Sequence, residues 1–177
     1  ISTPANGFDG MTYGEGFYKP MVSVVKYLAE HDFRIFLVSG SERNMVREVV
    51  KNTFGEWVQP YHIIGTIVSL EATGLGDAEA RKYTYTPDDK ILLEGNMLFK
   101  NERWNKVVSI VNEIGDIPVI TFGNSTGDLS MGQYVVENGG QAYMLLCYDT
   151  ERDYGKPDVA EKFRQEGRRE GIREGRR

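Results

Sequence analysis

Apolar residues recur at Met21, Val24, Val25 and Leu28, just behind Pro20. Three-to-four spacing places them on one face of a helix, and Pro20 suits its first turn, where an N–H would lack an intrahelical partner anyway. His31-Asp32 closes this helix. The pattern then changes to a short run, Phe33-Arg34-Ile35-Phe36-Leu37-Val38, rich in β-branched and aromatic residues, which predicts a strand. Ser39-Gly40-Ser41 reads as the turn that ends it. Helical spacing resumes over residues 42–51 through Met45, Val46, Val49 and Val50. Helix, strand, small-residue turn and helix in succession are the grammar of an α/β fold.

Further along, residues 61–68 read as a second strand. Residues 83–86 and 90–93, split by Pro87-Asp88-Asp89, read as a hairpin. Residues 106–114 carry a helical pattern stopped by Gly115. A buried strand is expected over 117–122, then the turn Gly123-Asn124-Ser125-Thr126-Gly127-Asp128, a short helix over 129–136 and a last strand over 141–148. Residues 1–16 are Gly-rich and polar and read as loop. One core domain is thus expected over residues 17–160, followed by a charged tail over 161–177.

Composition narrows the function classes. The 177 residues are 40% hydrophobic and 27% charged, enough apolar material for one cored domain. No apolar run approaches the roughly 18 residues of a membrane span, and no basic-then-apolar signal peptide opens the chain. The sequence begins without Met, which fits a start partway through a longer protein. The net charge of -5 is uneven: residues 161–177 carry +3 and the remainder -8. An acidic body is a poor nucleic-acid surface. The tail repeats Glu-Gly-x-Arg from Glu166 to Arg177; it buries little, and its regular Gly weakens a helix. A lone cysteine, Cys147, sits in an apolar run and reads as a buried thiol. His31 and His62 are too few for a metal cluster and read as residues that cap or line elements. Trp57 and Trp104 are expected to pack inward.

Three features fall where open α/β sheets place their ligands, at strand ends and on the adjoining helices. Ser39-Gly40 offers a hydroxyl and a backbone open to close approach, with a helix beginning next, a combination that suits an anion. Ser41 as an ordinary helix cap is the plainer reading. Asn124 and Asp128 place two side-chain oxygens four residues apart in a Gly-flanked turn, and hard oxygens of this kind suit magnesium. Lys106 can act as a point charge for a phosphate. Lys100, six residues earlier, is expected to matter little.

In this order and spacing the three features resemble the haloacid dehalogenase superfamily, and most closely a bacterial phosphatase-like branch of it. Val38-Ser39-Gly40-Ser41 is similar to the second motif, Lys106 to the third, and Gly123-Asn124-Ser125-Thr126-Gly127-Asp128 to the fourth. Glu151-Arg152 is similar to a pair that follows the next strand in that branch. The resemblance covers roughly residues 17–155. It implies a three-layer, Rossmann-like core with a mostly parallel sheet, with residues 1–16 as the tail of a cap. It also implies Mg²⁺-dependent hydrolysis of a small phosphorylated substrate through an aspartyl-phosphate. Ser39 and Lys106 are then the catalytic residues, Ser39, Gly40 and Lys106 the phosphate-binding set, and Asn124 and Asp128 the metal ligands. The first motif, Asp-x-Asp on the first strand, is expected upstream of Ile1, so the sheet lacks that strand here; Phe8-Asp9-Gly10-Met11-Thr12 lacks the second Asp. The alternative is a non-catalytic module of the same fold that binds a phosphate or a partner. A nucleotide-binding protein is a weaker rival without a Gly-rich fingerprint, and a serine hydrolase lacks its Gly-x-Ser-x-Gly turn.

Overall fold

A computed structural model describes Ser2, Pro4 and residues 9–145. The expectations for Cys147, Glu151-Arg152 and the tail lie outside the described residues. Helix α1 (Lys19–Ala29) starts with Pro20 in its first turn. It buries Val25 in a core with Val50, Phe54, Val58 and Ile63. Phe17 closes this core edge-on against Phe54, with ring centroids 5.1 Å apart. Trp57 packs against it as expected, whereas Trp104 is 64% exposed. Asp32, in the left-handed region at φ 63°, turns the chain out of α1.

Strand β1 (Leu37–Glu42) begins and ends later than the apolar run predicts, so Ser39-Gly40-Ser41 is extended strand rather than turn. Cross-links from distant side chains explain this: Asn101 Nδ2 donates to the Ser39 carbonyl and Thr66 Oγ1 to the Gly40 carbonyl. Helix α2 (Arg43–Val50) is capped by Glu42 rather than Ser41. The Glu42 carboxylate accepts from the amides of Asn44 and Met45 at 2.9 and 2.7 Å. A carboxylate there complements both the free N–H groups and the helix dipole.

Strand β2 (Ile63–Ala72) pairs parallel with β1, with Leu37 opposite Ile63 and Val38 opposite Ile64. Its other edge pairs antiparallel with β3 (Ile91–Phe99). The hairpin expected within residues 83–93 is therefore replaced by one between β2 and β3. Residues 83–86 form no strand because their polar groups turn inward to Asp89. That carboxylate accepts from the amides of Gly74 and Thr86 and from the hydroxyls of Tyr83 and Thr86. The Thr86 amide above all, against the opposing effect of burial and with help from Tyr83 and Gly74, holds the carboxyl at about 2. A depressed carboxyl contributes stability above its unfolded value, lost as pH falls through the folded one. The loop over 73–90 is therefore expected to stay ordered at about pH 4 and to loosen toward the folded value of about 2. Hydrogen exchange at the Gly74 and Thr86 amides checks this, and Asp89→Asn should expose both amides already at neutral pH.

Helix α3 (Trp104–Ser109) widens into a π-helical turn over Ile110–Ile114, where Gly115 N donates to Ile110 O at 3.2 Å. Gly115, at φ 68°, ends it as expected. Strand β4 (Ile120–Gly123), helix α4 (Leu129–Glu137) and strand β5 (Gln141–Met144) follow, with β4 and β5 parallel. This is an α/β fold with parallel and antiparallel pairings. The described strands form two sheets, β1-β2-β3 and β4-β5. A cavity of about 820 Å³ has Leu37 and Val38 of β1 and Ile120 and Phe122 of β4 in its wall. No helix among the described residues is long and apolar enough to cross a membrane.

Candidate functional site

Ser39, Gly40, Lys106, Asn124 and Asp128 come from three separate segments, and all five line this one cavity. Apolar side chains of α1, β1 and β4 make most of its wall; the five polar residues group where Lys106 joins Val38 and Asp128, and Arg34 and Asp116 also line the cavity.

Lys106 and Asp128 meet there as a buried ion pair. Lys106 Nζ lies 2.6 Å from Asp128 Oδ1, with side-chain exposures of 8% and 9%. The same ammonium donates to the Val38 carbonyl at 2.7 Å. It thus ties β1 to the turn after β4. Lys106 is an interior residue, 7% exposed.

Asp128 Oδ2 accepts from the amides of Asn124 and Ser125 and from the Ser125 hydroxyl, at 3.0, 3.1 and 3.2 Å. Ser125 Oγ in turn accepts from Gly127 N, so the turn caps itself reciprocally. Burial pushes the Asp128 carboxyl up, but the Lys106 ammonium and the Asn124 and Ser125 amides outweigh it and hold the group below its ordinary value. Gly123 is required by space: a Cβ there would stand 2.5 Å from the Asp128 Cβ.

At the end of β1, Ser39 Oγ accepts from Ser41 N at 3.1 Å and keeps its own proton to donate. Asn101 and Thr66, which the sequence reading did not single out, and Lys100, which it set aside, organise this strand end. Asn101 is wholly buried; besides its bond to Ser39 O, its N–H donates to Thr66 Oγ1 and its Oδ1 accepts from Ser109 Oγ. Thr66, a polar residue inside an apolar strand, is the only one of the three with a visible signal. Lys100, expected to matter little, donates from Nζ to the Gly40 carbonyl at 2.9 Å. Arg103, at φ 54°, then donates its N–H to the Gly127 carbonyl, joining this segment to the Asp128 turn.

Magnesium takes near-octahedral oxygen ligands, commonly carboxylates together with water and phosphate. The Asp128 oxygens already accept four hydrogen bonds. Asn124 donates through Nδ2 to Tyr18 OH at 3.3 Å, which leaves its carbonyl oxygen. Among the described residues no three His, Cys, Asp or Glu side chains group to hold a metal. Asn124 and Asp128 in this arrangement do not make a magnesium site by themselves, and a further carboxylate would have to join them. No protein-family model matches the chain, and no curated protein matches it.

Proposed function

We propose that this chain forms the phosphate-binding part of a phosphatase-like hydrolase of the haloacid dehalogenase type. The supporting observation is the convergence of Ser39, Gly40, Lys106, Asn124 and Asp128 on one cavity. In this reading Ser39 donates its hydroxyl proton to a phosphoryl oxygen. Lys106 has one N–H left after Asp128 and Val38 and turns it on the same group. Asn101 and Thr66 position the strand end through the Ser39 and Gly40 carbonyls. The nucleophile in this reading is an aspartate that the set of five does not supply; its attack on a phosphomonoester would break the ester P–O bond, release the alcohol and give an aspartyl-phosphate, which water would then hydrolyse to orthophosphate. Magnesium, when bound, would neutralise phosphoryl charge. The substrate is a small phosphorylated compound.

A second reading is a non-catalytic module that binds a phosphate or a partner. It draws on the commitment of Asp128, which leaves no free carboxylate in the set of five. Turnover of p-nitrophenyl phosphate with magnesium, by the protein as its gene encodes it, separates the two. Ser39→Ala should then cut turnover about 10²-fold, the size expected when one preorganised donor to transition-state charge is lost. Its melting midpoint should hardly move, since the lost contact to Ser41 N is exposed. Orthophosphate binding without turnover would favour the second reading.

A further inference from the structure

We propose that Tyr18 is a further binding residue of this site, its phenol O–H donating to an oxygen of the bound phosphoryl group. The inference rests on the reading of this cavity as a phosphate site.

Tyr18 lines the same cavity as the five residues above. Its hydroxyl meets one of them directly: Asn124 Nδ2 donates to Tyr18 OH at 3.3 Å. Asn124 in turn gives its backbone N–H to Asp128 Oδ2, and Asp128 Oδ1 accepts from Lys106. The phenol thus stands at the head of a hydrogen-bonded chain that runs through Asn124 and Asp128 to Lys106. A phenol oxygen can both accept and donate. Here it accepts from Asn124, and among the described residues nothing takes its proton.

The backbone beneath the ring is fixed. Tyr18 is the residue that caps α1, and its carbonyl accepts from Met21 N at 2.8 Å and Val22 N at 3.1 Å. Its neighbour Phe17 is packed on Phe54. A donor held in place before the ligand arrives loses little freedom on binding. The Lys106 ammonium is already matched by Asp128 at 2.6 Å, so neutral donors with a spare proton carry more of the binding. Tyr18 adds one such hydroxyl to that of Ser39.

The test uses the protein as its gene encodes it, with orthophosphate as probe and titration calorimetry as readout. Tyr18→Phe keeps the ring and removes only the hydroxyl. It should weaken binding about tenfold or more, the loss expected for one hydrogen bond to a charged group. Its melting midpoint should stay with wild type, because the contact to Asn124 is exposed. The fold-loss should be the same at low and high salt, since the missing donor carries no charge. It should also persist when Tyr18→Phe is made on top of Asn124→Ala, as it does for a group that touches the ligand itself. A loss that vanishes in that background would make Tyr18 a positioning residue for Asn124 and overturn direct donation. Wild-type protein that binds no orthophosphate would overturn the phosphate-site reading and this inference with it. Orthophosphate bound equally by wild type and Tyr18→Phe would overturn the assignment of Tyr18 alone.

Discussion

Replacing Asp128 by alanine is expected to unfold the protein as much as to silence it. The substitution strands the Lys106 ammonium, 8% exposed, with only the Val38 carbonyl for company. It also removes the acceptor for two turn amides and a hydroxyl. Breaking a buried ion pair from one side costs about 3–5 kcal/mol, because a charge is left uncompensated. Whole domains are stable by only about 5–15 kcal/mol. A denaturant titration of the protein as its gene encodes it should show a loss of this size. Lys106→Met combined with Asp128→Leu should be less damaging than the two single losses added together, since it strands neither charge. Acid should mimic the single variant. The Asp128 carboxyl lies below its ordinary value, so its contribution is present above the unfolded carboxyl range and is lost as pH falls through the lowered folded value. Near-equal stability of wild type and Asp128→Ala would mean that the pair is not the tie described here.

The second large effect concerns residues 1–177 expressed by themselves. They are expected to be inactive, and to melt without a sharp cooperative transition or to aggregate. In the sheet that the family resemblance implies, the nucleophile strand lies between the strand bearing Ser39 and the strand bearing Phe122. Among the described residues β1 pairs with β2 and β4 with β5, and both line the same cavity. Side chains already take the Val38, Ser39 and Gly40 carbonyls; each further backbone group left buried and unpaired along such edges costs about 1–3 kcal/mol. Open edges also invite pairing between molecules. Restoring an upstream strand that ends in Asp-x-Asp should recover both a cooperative melt and phosphomonoester turnover. A sharp, reversible melt together with magnesium-dependent turnover from residues 1–177 alone would overturn the expectation. The nucleophile would then be sought inside the chain, starting at Asp9.

Periodicity located α1, α2, α3 and α4 well, because each shows its apolar face as a local repeat. It misjudged elements whose shape is set from far away. Ser39-Gly40-Ser41 has turn composition, yet Asn101 and Thr66 hold it extended from more than twenty residues off. Residues 83–86 have strand composition, yet Asp89 gathers their hydroxyl and amide groups into a loop. The candidate site was legible as three motifs in order. Its inner wiring was not: that Lys106 is interior, and that Lys100 meets Gly40, depend on distances between segments that no local pattern encodes.

The Lys106 contacts also make this side chain a spacer. Its root is in α3 and its head touches β1 on one side and the turn after β4 on the other. At that point one lysine's length therefore sets how far apart the two sheets stand. Arginine would keep the charge and change the gauge, since its longer, planar head cannot occupy a point between a carbonyl and a carboxylate that is sized for an ammonium. What is usually counted as the mildest of substitutions would here be a change of architecture.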